Sequence, residues 1–397
     1  MRPSRLARWC LAAIAVQALV GLVWLTTYRG LFDPRNMPVG NDFAAFWFAA
    51  RMTLERPAKD AYDLVIMTQF QHGIWPDLKG MYAWVYPPSF LLLVLGFGLM
   101  PYIAAYVTWT AATLFAYLAG LWQNVRDRTS WWLIAAFPGL WLGLGQGQNQ
   151  FLTAALGALG LGLLRKHPVW AGVCIGLLAI KPHLALLFPV ALLAARAWRT
   201  ILAAAVTAIT VTLVPAAILG WGTLVAWRDS MSWVATAIEL KQLPVWMFPA
   251  PYPWLLSLGV PTVLAWIVQG AISLLAALIV YRLWRPLAKG VGSLALPGSA
   301  LVLATFLATP YYAMYDLTWL ALPLCWLVAT GVAKGFRPGE KPLLVLLFLL
   351  PYASVIALVV DVQLAPFVLA ALLWHVWQRE RVSDRSDAPV DRTHVAL

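Results

Sequence analysis

Apolar runs long enough, or nearly long enough, to cross a bilayer follow one another along the chain, separated by short connections rich in Lys and Arg. The first run, Leu11–Tyr28, follows Arg2, Arg5 and Arg8. No small-x-small cleavage site comes after it, so it reads as an uncleaved first transmembrane helix. With the N-terminus inside, Pro101–Gln123 returns to Arg126 and Arg128. Trp131–Gly145 then goes out and Phe151–Leu164 returns to Arg165 and Lys166. Val169–Ile180 goes out, Leu184–Ala195 returns, Ile201–Gly220 goes out and Val260–Tyr281 returns to Arg282, Arg285 and Lys289. Leu294–Ala308, Leu317–Val332, Leu343–Val360 and Leu364–Trp377 complete the series. Every basic connection then falls on one side, as the positive-inside bias requires, and the pattern predicts an all-α polytopic membrane protein of about 12 transmembrane helices.

Two stretches interrupt this rhythm. The longer, residues 29–100, is expected to be an external loop that contains interfacial helices. Asp42–Leu54 and Ala61–His72 mix apolar and polar positions and read as short helices lying along the membrane surface. Pro87–Met100 is apolar but only about fourteen residues, short of the roughly 20 needed to span, and is read as interfacial. The second interruption, Trp221–Ser257, is expected to be a second external loop, in which Trp246, Tyr252 and Trp254 offer faces for stacking on sugars. Residues 1–382 form one transmembrane domain, and 383–397 is expected to be a polar, disordered cytoplasmic tail.

Composition agrees with this reading. The chain is 62% hydrophobic and 11% charged, against roughly 25% charged in soluble domains, so it lacks the polar surface a soluble fold needs. Its net charge of +12 sits in the short connections, where it sets orientation, and nucleic acid is not an expected partner. Cys10, Cys174 and Cys325 fall inside apolar runs with no metal-ligand spacing and read as packing residues. His72, His167 and His183 likewise share no paired spacing, so no metal site or other cofactor is expected.

The chemistry-bearing residues collect on the outer side of this topology. The first loop holds Asp42, Asp60, Asp63, Asp77, Tyr82 and Tyr86. A polar turn holds Gln146, Gln148, Asn149 and Gln150 between glycines. Lys181-Pro182-His183 joins two apolar runs, and a late turn holds Tyr311, Tyr312, Tyr315 and Asp316. Lys181 breaks the basic-inside pattern. A lysine at that depth is costly unless paired or solvated, and a lipid phosphate at the interface would suit it, whereas a snorkelling helix-end lysine would look the same. His183 is grouped with it as a phosphate ligand. The amides of Gln146, Gln148 and Asn149 suit sugar hydroxyls, and Tyr86, Tyr312, Tyr315 and Asp316 are grouped with them as sugar or acceptor ligands. Asp42 opens a helix, where a carboxylate serves equally as an N-terminal cap or as a general base.

Asp42-Phe43 with Phe46-Trp47 and Ala49-Ala50, Tyr86-Pro87-Pro88, Pro101-Tyr102, Gly145-Gln146 with Asn149, and Lys181-Pro182 occur in this order. In that respect the chain resembles the DUF2029 family, glycosyltransferase family 87, which includes polyprenyl-phosphate-mannose-dependent α-1,2-mannosyltransferases. The resemblance implies a GT-C-type bundle with a catalytic acidic residue in the first external loop, matched here by Asp42. It also implies an inverting transfer of a hexose, mannose by analogy, from a polyprenyl-phosphate-linked sugar donor to a lipid or glycan acceptor. Catalysis would take place at the outer face of the inner membrane. Mannosyltransferase members often carry histidines in the late external turn, where this chain has Tyr311, Tyr312, Tyr315 and Asp316, which leaves the sugar and acceptor open. The rival expectation, a multi-pass transporter or flippase, would bring repeated halves and polar groups at mid-membrane, and neither is evident in the sequence.

Overall fold

The structure, a computed structural model, describes residues 5–386 except 241, 244–246, 291 and 361, and gives the backbone alone for 354–360 and 381–386. Trp246 and residues 387–397 of the expected tail lie outside the described residues. In chain order the helices are α1 (Arg5–Thr26), α2 (Phe43–Glu55), α3 (Leu64–Ile74), α4 (Pro88–Val94), α5 (Tyr102–Asn124), α6 (Arg128–Ala136) and α7 (Pro138–Gln146). They continue with α8 (Gln150–Leu163), α9 (Pro168–Leu177), α10 (Phe188–Ala194), α11 (Trp198–Leu219), α12 (Gly222–Glu239) and α13 (Pro251–Ser257). The last are α14 (Thr262–Trp284), α15 (Ala295–Ala308), α16 (Ala321–Lys334), α17 (Glu340–Val360) and α18 (Ala365–Ser386). Each apolar run named above falls on a helix or on a pair of helical pieces, and among the described residues there are no strands, only two isolated bridges near Phe32. The protein is an all-α polytopic membrane protein.

Among the described residues, five helical stretches have the length and composition to cross a bilayer: α1, α5, α11, α14 with the turn after it, and Met314–Lys334. Their exposed faces are apolar, for example Val16 and Leu19 on α1, Leu202 and Val206 on α11, and Ile267 and Leu274 on α14. In water such continuous faces would be an aggregation hazard, and in lipid they are the solvated surface. Shorter apolar helices lie inside. At about 1.5 Å per residue the fourteen-residue α8 spans roughly 21 Å, and it is buried along most of its length. Close packing replaces area as the cohesive term here, since lipid tails are as apolar as Leu. On α9, Gly172 and Gly176 let the carbonyls of Thr200 and Ala204 on α11 approach to where a Cβ would meet them at 2.5 Å.

Polar side chains also tie helices together. Gln17, buried on α1, donates to the Ala136 carbonyl at 3.0 Å and accepts from the Tyr352 hydroxyl at 2.8 Å. Arg379 of α18 grips Glu340 of α17, and both are nearly closed off from solvent.

The first interruption differs from its expectation in one respect. The helices are where the pattern puts them, but α2 is not a surface helix. Nine of its 13 residues are buried. The Phe43, Phe46 and Trp47 rings pack edge-on or stacked against Trp75, Tyr86, Phe90, Tyr102 and Trp109, so protein, not lipid, covers almost every side. Pro88–Leu99 is a short α-helix running into a 3-10 turn and packs on α2. The second interruption is helical over most of its length. Gly222–Glu239 forms an 18-residue helix and Pro251–Ser257 a further 7-residue one. The expected tail begins within α18, which runs to Ser386.

Candidate active site

The N-terminus of α2, the α7–α8 turn, the break between α9 and α10 and the segment before α16 converge at one end of the bundle. Local chemistry fixes each. Gly40, at φ 69°, makes the tight turn into α2. Gly147, at φ 64°, ends α7 in the left-handed conformation that glycine adopts without strain. Its carbonyl accepts from the Trp109 indole at 3.0 Å, and Tyr106 donates to the Leu144 carbonyl, so α5 clamps the turn from behind. Pro182 follows Lys181 and breaks the helix there.

Asp42 occupies the cap position of α2, yet its side chain makes no cap hydrogen bond, and its own backbone is already helical at φ −70°, ψ −23°. A capping carboxylate sits in an extended residue and accepts from the first-turn amides, as Asp63 does for Val65 and Ile66 on α3. The Asp42 carboxylate instead accepts from Gln148 Nε2 at 3.4 Å. Removal from water pushes its pKa up to about 6, with the Gln148 hydrogen bond and the charge of Lys181 opposing the rise.

From Asp42 a chain of contacts crosses the site. Gln148 Oε1 accepts from the Tyr86 hydroxyl at 2.8 Å and from the Asn149 backbone N–H at 3.0 Å. Asn149 Oδ1 accepts from Lys181 Nζ at 3.3 Å. Lys181 Nζ also forms an ion pair with Asp316 Oδ1 at 2.6 Å, and the two side chains are 6% and 0% exposed. The Ala313 N–H donates to the other Asp316 oxygen at 3.1 Å, and the Tyr315 ring lies 4.5 Å from the Lys181 ammonium. Lys181 is therefore not a snorkelling lysine. It is held inward by a carboxylate, an amide oxygen and an aromatic face.

A cavity of about 320 Å³ opens beside this chain, lined by the polar side chains of Tyr86, Lys181, His183, Tyr315 and Asp316 and by the apolar Trp227, Met231, Val234 and Phe248. His183 gives its carbonyl to Thr309, and its Nε2 has no protein partner. Tyr312 also lines the cavity, but its hydroxyl donates to the Pro249 carbonyl, so only its ring is on offer. Gln146 ends α7 with an unpartnered Oε1 and is not joined to the network. Thus Asp42, Tyr86, Gln148, Asn149, Lys181, Tyr315 and Asp316 come together as a set, His183 and Tyr312 join the cavity wall, and Gln146 stands apart. Of the second-interruption aromatics, Tyr252 is fully buried, with its hydroxyl on Glu239, and Trp254 packs on Phe367. Neither faces this cavity. The face that does, Trp227, Met231 and Val234 of α12, recurs at i, i+4 and i+7, a helical signal present in the sequence and unused.

A family model described as glycosyltransferase family 87 matches residues 84–310, more than half of the chain. The chain belongs to glycosyltransferase family 87. It is a membrane glycosyltransferase. No curated protein and no solved structure matches. The family 87 match takes in Tyr86, the Gln146–Gln150 turn, Lys181 and His183, whereas Asp42 and Asp316 lie on either side of it and are tied to the matched residues by the contacts above.

Proposed function

We propose that the protein transfers a hexose, mannose by the family resemblance, from a polyprenyl-phosphate donor to a hydroxyl of a lipid or glycan acceptor at the outer face of the inner membrane. Asp42 is the general base. The observation that carries this reading is a carboxylate at a helix N-terminus that does no capping and is linked through Gln148 and Asn149 to a buried lysine.

The acceptor hydroxyl passes its proton to Asp42 as its oxygen attacks the anomeric carbon from the face opposite the phosphate. The bond from that carbon to the phosphate oxygen breaks, and the product inverts. Polyprenyl phosphate leaves with its charge met by Lys181 and the His183 ring. A phosphate leaves as an anion without protonation, so one carboxylate suffices where a glycosidase needs two. The apolar lining of the cavity, Trp227, Met231, Val234 and Phe248, suits the first isoprene units. Gln146, with its unpartnered oxygen, and the Tyr312 ring remain candidates for sugar contact. A carboxyl with a pKa of about 6 is largely ionised at pH 7.5 and still basic enough to take a proton, close to the optimum for a base working near neutrality.

The test is transfer of labelled hexose from polyprenyl-phosphate mannose and polyprenyl-phosphate glucose in membranes carrying wild type or Asp42→Asn. Loss of a general base removes about 10²–10⁴-fold of rate. Transfer by Asp42→Asn at the wild-type rate would remove Asp42 as the base, and no transfer from any polyprenyl-phosphate sugar would remove the donor class.

A further inference from the structure

Gln148 is read from sequence as a sugar ligand, yet its surroundings leave it little to give a sugar. The residue is 6% exposed. Its amide oxygen already accepts two hydrogen bonds, from the Tyr86 hydroxyl at 2.8 Å and the Asn149 N–H at 3.0 Å. The Asn149 N–H decides which way the amide faces, since a backbone N–H can only donate whereas the Tyr86 hydroxyl can donate or accept. An Nε2 in the oxygen's place would meet that donor with another and would turn the oxygen toward the Asp42 carboxylate, so the oxygen points at Asn149 and Tyr86 and the NH₂ group at Asp42. Tyr86 is itself anchored, its carbonyl accepting from the buried Tyr62 hydroxyl at 2.9 Å. The amide is locked before any substrate arrives.

We propose that Gln148 is a positioning residue of the transfer reaction: its amide, oriented by Tyr86 and the Asn149 N–H, holds one oxygen of the Asp42 carboxylate in the charged form and leaves the other for the acceptor hydroxyl. This rests on the reading of Asp42 as the base. A fixed N–H donor stabilises the carboxylate over the carboxylic acid, and it restricts rotation of the group that must meet the acceptor proton in line. The other groups that act on Asp42 are Lys181, which favours its charge, and the nearby Tyr82, Tyr86, Tyr102 and Tyr315 hydroxyls. Among the described residues, Gln148 is the side chain that hydrogen-bonds the carboxylate.

The discriminating variant is Gln148→Glu, the nearest isostere. Its carboxylate still accepts from Tyr86 and Asn149, so the turn keeps its supports, but the N–H facing Asp42 is replaced by an acceptor. The protein in lipid nanodiscs is assayed for transfer from polyprenyl-phosphate mannose across pH 5–9, with Gln148→Met, which drops all three bonds, and Asp42→Asn alongside. The acid limb of kcat/KM is expected to move up by at least one pH unit in both Gln148 variants. That is about a tenfold loss on the acid side, largely recovered at high pH, with the KM values for donor and acceptor within about twofold of wild type. A raised KM with an unmoved acid limb would make Gln148 a substrate ligand and overturn the proposal, as would a limb and KM both unchanged. If Asp42→Asn is inactive while the Gln148 limb stays put, the positioning role fails and the base stands. If Asp42→Asn transfers normally, the base itself has failed and the positioning role falls with it.

Discussion

The Lys181–Asp316 ion pair is closed off from solvent on both sides, and its removal one side at a time has a calculable outcome. Both side chains are almost completely closed off and the charged atoms are 2.6 Å apart. Replacing Lys181 by Met strands a carboxylate whose remaining support is the Ala313 N–H at 3.1 Å. Replacing Asp316 by Asn strands an ammonium held by Asn149 Oδ1 at 3.3 Å and the Tyr315 ring. Either single change leaves a buried charge uncompensated and is expected to cost about 3–5 kcal/mol, whereas removing both charges together costs far less, because the desolvation of two ions is relieved at once. The double variant Lys181→Met with Asp316→Asn should therefore be more stable than either single one, with a coupling of roughly 2 kcal/mol or more. Thermal denaturation in detergent, followed by the monodisperse fraction that survives heating, reads this as a drop of roughly 5–10 °C for each single variant and a partial recovery in the double. Strictly additive losses would mean that the two groups do not meet, and the reasoning would be wrong. Transfer assays separate stability from chemistry. Since Lys181 is also assigned to the leaving phosphate, the double variant should regain stability and stay inactive, and a double variant with wild-type transfer would dismiss that assignment.

Two further outcomes follow from the site. Burial raises the Asp42 carboxyl to about 6 from a usual value near 4, so between those values the unfolded chain loses its proton before the folded one does. Folding stability from this group is highest below pH 4, falls as pH rises to about 6, and stays lowered above. Asp42→Asn should therefore melt higher than wild type at pH 7.5, by an amount on the order of 2 kcal/mol, and match it at pH 4. Equal melting at both pH values would contradict the raised pKa. At the α7–α8 turn, a Cβ on Gly147 would lie 2.6 Å from Tyr106 Cε2 and 2.8 Å from the Phe43 Cβ, at a φ of 64° that side chains avoid. Gly147→Ala should thus cost about 1–3 kcal/mol and reduce transfer at least tenfold by displacing Gln148. Gly145→Ala, two residues away in open space, is the control expected to match wild type in both melting and transfer.

Much of the helix inventory was legible because membrane insertion forces long apolar runs and pushes basic residues to one side, and both leave marks in composition. The same rule exposed Lys181, the lysine out of place, and with it the end of the bundle that holds the site. What was not legible depends on pairings between distant residues. Lys181 and Asp316 are 135 positions apart, and sequence offered each a ligand before it offered them each other. Whether Asp42 caps its helix is decided by the absence of a bond to the first-turn amides, which no residue type announces. The burial of α2 was missed because its polar positions suggested a surface, while the aromatic rings that cover it come from residues 75–109 and close over it only in three dimensions. The α12 face is hidden for the opposite reason: its Pro- and Trp-rich surroundings read as a loop, although Trp227, Met231 and Val234 within it keep a helical period.

The adjacency of Gln148 and Asn149 gives the site a property that neither residue has alone. One amide faces the carboxylate and the next faces the ammonium, so the Asp42 carboxylate and the Lys181 ammonium are both registered to a single turn. That turn is held from α5 by the Trp109 indole on the Gly147 carbonyl, and from the first interruption by the Tyr86 hydroxyl on Gln148. The proposed transfer needs the acceptor oxygen and the leaving phosphate on opposite faces of one carbon, and a misplacement of about 1 Å between such groups costs on the order of 10²-fold in rate. A short loop fixed at both ends sets their separation more tightly than two independent helices would, because helix motion then carries the two charges together. Side chains such as Trp109, which touch neither charge, are in this sense part of the geometry of the reaction.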